Sequence, residues 1–520
     1  MLAACERDAG PDTDASRAPQ TGLHHGMIQL GEKLEDPYTV ENMRNALTKV
    51  YPTKAGRIDI SATDLYVRFL PADDGQLRTL QDRGLYLMDH PMDYRIVQEG
   101  DYYQDPEVGE EAITWQYAVV PEDFSFPDGI PYEVLDECYI SEHDPSTRGS
   151  LDIDWEQVER ESYRLTGNED MLQPLTKGTP VAPSGRITIE DPGFSGGKPF
   201  GVAGVKVVCN AFVKVDQCFT TRDGYYKMQK TYSADLRYRL VFQSEKGFNI
   251  GFNFVIVPAS VSTLGIGGPA GSDMHVNTES DEALFRRCAV NNAAYDYYSR
   301  CTDTDLDIPA PPEDLRIWIF PGLKASSTCM LHHKAFLSNE LLGTYLRALL
   351  EPYSEIALFV LQLFSPDITI GTRDQGYDGI YSAVVHELSH ASHYAQVGNP
   401  YWNPYIEYVI RSFVGGGGSA YGNGSADNAG YCELGEMWGY FMQATLYKDR
   451  YGGTLRNYGN QFWFKPDILT YLYERGMSRS EIFRALGADV TGIDDLKEQL
   501  VSLYPARENM IVQVFRSYGK

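Results

Sequence analysis

The chain is 520 residues long, more than one hydrophobic core needs, so length alone predicts about two to four domains. Hydrophobic residues make up 43% and charged residues 22%, an ordinary globular composition that sets a disordered or fibrous chain aside. The formal net charge of −27 argues against nucleic acid or an anionic membrane surface as a partner, because both would repel it. No run approaches the roughly 18 apolar residues of a spanning helix. The longest candidate, residues 356–364, is interrupted by Gln362 and reads as a core element.

In chain order, Met1-Leu2-Ala3-Ala4-Cys5-Glu6 comes first. It resembles the end of a bacterial lipoprotein signal. That resemblance implies a lipid on Cys5, membrane contact only through that anchor, and an extracytoplasmic place on the outer membrane, periplasmic or surface-exposed. Residues 6–36 are rich in Asp, Gly, Pro, Ser and Thr, and 1–36 read as leader and tether. Residues 37–182 read as an α+β module, with a helix at 42–50 and strands at 65–70, 94–97 and 113–120. Residues 183–258 change to short strands: Gly185-Arg186-Ile187-Thr188-Ile189, then Val205-Lys206-Val207-Val208-Cys209, then an Asp223-Gly224 turn between strand-like flanks. This spacing predicts a small β-sandwich. The stretches from Gly204 to Val207 and from Thr220 to Tyr226 resemble the transthyretin-like, carboxypeptidase-regulatory-like domain, which implies an accessory module. Beyond Cys5 the cysteines are Cys138, Cys209, Cys218, Cys288, Cys301, Cys329 and Cys432, with no Cys-x-x-Cys unit. They read as buried apolar residues or isolated bridges, and Cys209 and Cys218 are able to face each other across a hairpin.

From 259 to 520 the pattern is largely helical. A strand is expected at 315–320, a helix face at Leu341, Leu342, Tyr345, Leu346, Leu349 and Leu350, and a short strand at 367–371. The next helix is expected between an N-cap at Asp378 and a stop at Gly398, with an apolar stripe of Ile380, Val384, Val385, Leu388 and Ala391. On it His386 and His390 lie on one face, about 6 Å apart along the axis. Two imidazoles so placed can grip one zinc ion, and Glu387 can take a proton from zinc-bound water without ligating the metal. This is the His-Glu-x-x-His arrangement of zincin metallopeptidases. His393 lies nearly two turns beyond His386, too far for one straight helix to wrap three ligands around one ion. The metzincin pattern also needs Gly at 393 and His at 396, where this chain has His393 and Gln396. His393 is therefore expected behind the ligands or lining the cleft.

The third ligand is expected downstream. Leu434, Met437, Trp438 and Phe441 make an apolar helix face that carries Glu433 and Glu436. This resembles the glutamate helix of gluzincins, which implies a third ligand there. Glu436 sits within the apolar stretch, where a carboxylate is costly unless paired or metal-bound. Glu433 is nearer the helix start, where an acid suits the dipole. The spacing exceeds the compact gluzincin pattern by an insertion, 412–430, rich in Gly, Ser, Asn and Ala and expected to be mobile. Tyr421, Tyr431 and Tyr440 are candidate oxyanion donors, and no spacing selects among them.

The layout resembles multidomain lipoproteins of Bacteroidetes-type bacteria that carry a zincin domain: an α+β N-terminal module, a small β-sandwich and a mainly α C-terminal domain. The resemblance implies a cell-surface zinc metallopeptidase acting on a peptide or protein, glycoproteins included. Zinc would be held by His386, His390 and Glu436, with Glu387 as general base. The strand at 368–370 is expected to pair with an extended peptide beside the metal. The rival class is a non-catalytic surface protein binding glycans or proteins, with a vestigial zinc site. The intact Glu387 argues against that decay. A zinc hydrolase acting on a non-peptide amide or a glycopeptide is the other alternative.

Overall fold

The computed structural model describes residues 27–520 except 59, 101, 110–111, 146–152, 175–181, 252–260, 280, 303–305, 334–364, 416–420, 454 and 456–460. Cys5, the leader, the expected helix at 341–350 and the run at 356–364 lie outside the described residues.

The N-terminal region carries small sheets. Strands β1 (Gln29–Lys33), β2 (Asp64–Phe69), β3 (Tyr94–Gln98), β4 (Gln116–Pro121) and β5 (Tyr132–Cys138) form a β1–β3 pair and an antiparallel sheet of order β4-β2-β5. Three helices accompany them: α1 (Val40–Val50), α2 (Asp74–Gln81) and α3 (Trp155–Leu165). Each starts at a side-chain cap, Thr39, Asp73 and Asp154, whose oxygen satisfies a free backbone N–H of the first turn. Met43, Ala46 and Leu47 of α1 bury against Val158 of α3, a separate small core.

The next strands are β6 (Ser184–Ile189), β7 (Phe200–Gly201), β8 (Val205–Ala211), β9 (Lys214–Phe219), β10 (Tyr225–Lys227), β11 (Leu236–Ser244), β12 (Asn249–Ile250), β13 (Val261–Gly267) and β14 (Met274–Val276). The Asp-Gly turn leads into β10 as expected. Gly224 sits there at φ 82°, and a Cβ would come 2.1 Å from the Ile187 carbonyl oxygen, so only glycine fits. Cys209 and Cys218 do not face each other. The β8–β9 register sets Cys209 opposite Asp216 and Cys218 opposite Val207, and all seven described cysteines are free thiols.

Three later strands, β15 (Arg316–Phe320), β16 (Ser327–Thr328) and β17 (Ile368–Gly371), complete an eight-stranded sheet. Its order is β16-β17-β15-β12-β11-β8-β9, with β13 also on β11. β12 and β15 pair in parallel, so the boundary expected at 258 falls inside one sheet. The expectation for 368–370 needs correction. β17 is bonded to β15 on one side and β16 on the other, so it offers no free edge to a peptide.

The C-terminal region is helical: α4 (Glu282–Thr302), α5 (Tyr377–Val397), α6 (Asn399–Gly415), α7 (Ala429–Tyr451), α8 (Asp467–Glu474), α9 (Arg479–Arg484), α10 (Ile493–Leu503) and α11 (Glu508–Ser517). One apolar core runs from Val67 through the large sheet to Phe515. No helix among the described residues is long and apolar enough to cross a membrane. Within the insertion at 412–430, α6 extends to Gly415, and the Tyr421 carbonyl accepts from the Tyr408 hydroxyl and the Trp463 indole; residues 416–420 lie outside the described residues.

Candidate metal centre

α5 lies between α4, α7 and the β16–β17 edge of the sheet. It is therefore buried nearly all round rather than along one stripe. Its cap is Gly376, while Asp378 falls in the first turn, where its charge suits the helix N-terminus. Gly398 ends it at φ 72°, as expected. Small residues let the neighbours close in: Ser392 accepts from the Tyr297 hydroxyl of α4, and the Ser389 carbonyl accepts from the Trp438 indole of α7.

This packing brings His386, His390 and Glu436 together. The two Nε2 atoms lie 3.0 Å apart. Glu436 Oε2 is 3.5 Å from His386 Nε2, and Oε1 is 3.8 Å from His390 Nε2. The ligand atoms all lie within 4.8 Å of one another, so the group could hold a metal ion. Gly439 makes the approach possible. A Cβ there would stand 2.8 Å from His386 Nε2 and 3.0 Å from His390 Cε1.

Neighbours orient each group. His386 Nδ1 pairs with Gln443 Oε1 at 3.0 Å, and Gln443 Nε2 donates to Ser382 Oγ. That partner fixes the ring and leaves Nε2 facing the centre. The Tyr405 hydroxyl donates to Glu436 Oε1 at 2.5 Å. Thr328 Oγ1, on β16, donates to Glu387 Oε2 at 2.8 Å and to the Glu387 carbonyl oxygen at 3.0 Å. Two carboxylate oxygens, Glu436 Oε2 and Glu387 Oε1, are buried without a hydrogen bond. A buried carboxylate oxygen without a donor is unfavourable, and a cation supplies what Glu436 lacks. The orphaned oxygen, the space kept by Gly439 and the two-imidazole, one-carboxylate donor set all fit a divalent metal.

Electrostatics agree. Burial pushes the Glu387 carboxyl up to about 7, with Glu436 adding to the rise and His386 and Thr328 opposing it. Burial, then His386 and His393, hold His390 well below the ordinary imidazole range. Burial also pulls His386 down, but Glu436 and Glu387 outweigh it and leave His386 raised. In the metal-free protein the two imidazoles thus differ sharply, one inclined to a proton and one refusing it.

The remaining expected residues lie around this group. His393 is fully buried among Tyr401, Trp402 and Phe483, outside the ligand cluster, and burial lowers it to about 4. Glu433 is in the second turn of α7, not at its start, and its charge is met by Lys520 Nζ at 3.2 Å. Tyr431 stacks edge-on against Tyr401. The Tyr440 ring lies 4.7 Å from the His386 ring, and its hydroxyl meets that of Tyr421 at 3.2 Å. Sequence reasoning missed Tyr405, Thr328, Gln443 and Gly439. Signals existed for two of them. A buried tyrosine needs a partner for its hydroxyl, and two glycines four apart, Gly435 and Gly439, are unexpected in a strong helix.

His386, Glu387, His390 and Glu436 are each no more than 2% exposed. A cavity of about 230 Å³ lies elsewhere, between Glu142, Trp155, Glu159 and Tyr232. Compared with protein-family models, with curated proteins and with solved structures, the chain finds no match.

Proposed function

We propose that this chain is a zinc-dependent hydrolase, a gluzincin-like metallopeptidase acting on peptide or protein substrates. The observation that carries the reading is the convergence of His386, His390 and Glu436 with Glu387 one residue from the first ligand. Three nitrogen and oxygen ligands suit a catalytic zinc, which keeps a fourth position open. When bound, zinc supplies Lewis acidity, acidifying water and polarising a carbonyl.

The chain's own groups supply the rest. Glu387 Oε2 is tied to Thr328, and Oε1 is free to take a proton from the attacking water and pass it to the leaving amine. A carboxyl near 7 in the metal-free protein suits a group that must both accept and release a proton. Tyr431 packs on Tyr401, and of the hydrogen-bonded pair Tyr421 and Tyr440 it is Tyr440 whose ring packs against the His386 ring, so the oxyanion role is assigned to Tyr440. The Leu-Ala-Ala-Cys start supports a lipid anchor at Cys5 and an extracytoplasmic place.

One observation favours a second reading. The complete burial of the four residues suits a metal that braces a non-catalytic surface protein. Metal analysis together with a broad peptide-library digest separates the two. The wild type is expected to carry about one zinc per chain and to cleave peptides. His386→Ala and His390→Ala each lose stoichiometric zinc, and full retention by either sinks the ligand set. Glu387→Gln keeps zinc and loses hydrolysis by roughly 10²-fold or more. Zinc without any cleavage by the wild type leaves the second reading standing.

A further inference from the structure

The two oxygens of Glu436 are not equivalent. Oε1 accepts the Tyr405 hydroxyl at 2.5 Å. Oε2 accepts no hydrogen bond, is buried, and lies nearest His386 Nε2 at 3.5 Å. Tyr405 is held in place by its neighbours. It belongs to α6, its ring is buried, and it lies against Trp402 at 4.9 Å and His390 at 6.0 Å. The α7 face at this point is glycine: a Cβ on Gly435 would sit 3.4 Å from the Tyr405 ring, so the ring lies close along the helix.

We propose that Tyr405 is a positioning residue that fixes Glu436 as a one-oxygen metal ligand through Oε2 and keeps Oε1 out of the coordination sphere. The inference rests on the metal-centre reading and goes beyond it, since a glutamate ligand can bind through one oxygen or both. Binding through both would consume the position that a hydrolytic site keeps open. By holding Oε1 toward its own hydroxyl, Tyr405 orients the carboxylate so that Oε2 is the oxygen offered to the metal and the open position is kept.

The test needs the metal alone and no substrate. The full-length wild type, Tyr405→Phe and Tyr408→Phe are loaded with cobalt(II), and visible absorption per bound ion is read. Zinc affinity is measured by competition with a chelator. Tyr408→Phe is the control: it removes a buried hydroxyl from the same helix, one that donates to the Tyr421 carbonyl and not to Glu436. Tyr405→Phe is expected to lose roughly half the visible absorption, as the ion gains a ligand oxygen and its geometry expands. Its zinc affinity is expected to change by about tenfold. Tyr408→Phe matches the wild type in both readouts. A Tyr405→Phe protein that also matches in both overturns the proposal. So does a crystal structure of the zinc-loaded wild type with both Glu436 oxygens bonded, a result independent of how the variant folds. A wild type that binds neither zinc nor cobalt overturns the metal-centre reading itself, and the role of Tyr405 with it.

Discussion

Glu433 and Glu436 lie three residues apart on one helix, and their surroundings give them different work. Lys520 neutralises Glu433, whereas Glu436 faces two imidazoles. Glu436→Gln is therefore expected to weaken zinc affinity by at least about hundredfold, while Glu433→Gln leaves affinity unchanged and costs about 1 kcal/mol of stability. Chelator competition and denaturant unfolding read the two effects separately. Equal losses of affinity would refute the assignment. Gly439→Ala is a third test. Alanine favours the helix by about 1 kcal/mol, but its methyl would fall between the histidines. The expected protein is folded by circular dichroism and has lost tight zinc binding. Asp36 offers a pH test far from the metal. It is buried, its Oδ2 has no partner, and burial raises its carboxyl from 3.8 to about 8. A raised value favours the neutral form in the fold. Its contribution is full below the ordinary carboxyl value and is lost as pH rises through about 8. The melting temperature should fall on going from about pH 5 to pH 9, and less steeply in Asp36→Asn. An unchanged slope in that variant rejects the assignment to Asp36.

At the scale of elements, what could be read from the sequence was periodic and local. The α5 stripe and the two-histidine face follow from a 3.6-residue repeat, and the stop at Gly398 from glycine's ease at positive φ. The buried run of Leu434, Met437, Trp438 and Phe441 likewise separated Glu436 from Glu433 before any contact was known. Contacts between elements distant in the chain were not readable. Thr328 reaches Glu387 across 59 residues, and Tyr405 reaches Glu436 from a different helix. Strand pairing was equally hidden. The segment at 368–371 announced a strand but not that both its edges are taken, and a register offset of two separates Cys209 from Cys218. The β16–α5 contact yields its own prediction. Thr328→Val should keep zinc but lower kcat about tenfold with little change in KM, because Oε2 of Glu387, the proposed base, loses its donor. Thr328→Ser, which keeps the hydroxyl, should restore the rate. A valine variant with wild-type kcat would show that the hydrogen bond does not position the base.

For the molecule as a whole, the eight-stranded sheet is what joins the regions that composition divides. β8, β9 and β11 belong to the stretch that reads as a separate sandwich, while β15, β16 and β17 belong to the helical stretch. Because β12 and β15 share backbone hydrogen bonds across that line, a fragment ending at 258 exposes a sheet edge, and one beginning at 259 loses its central strands. Neither fragment is expected to give a cooperative melting transition alone. Two independently folded fragments would contradict the continuity of the sheet.

The depth of the proposed metal site also has a kinetic consequence. Four side chains with almost no solvent contact are reached by a chelator, and by a peptide substrate alike, only when the site opens. Release of the ion must then wait for α5, α6 and α7 to part, an opening of the kind that amide hydrogen exchange detects. Above a modest concentration of chelator the rate of metal loss should stop rising and settle at the opening rate. It should match the exchange rate of the slow amides around His386, measured under conditions where opening limits exchange. The same delay would apply in the other direction: an ion captured as the chain folds would stay for as long as those three helices remain together.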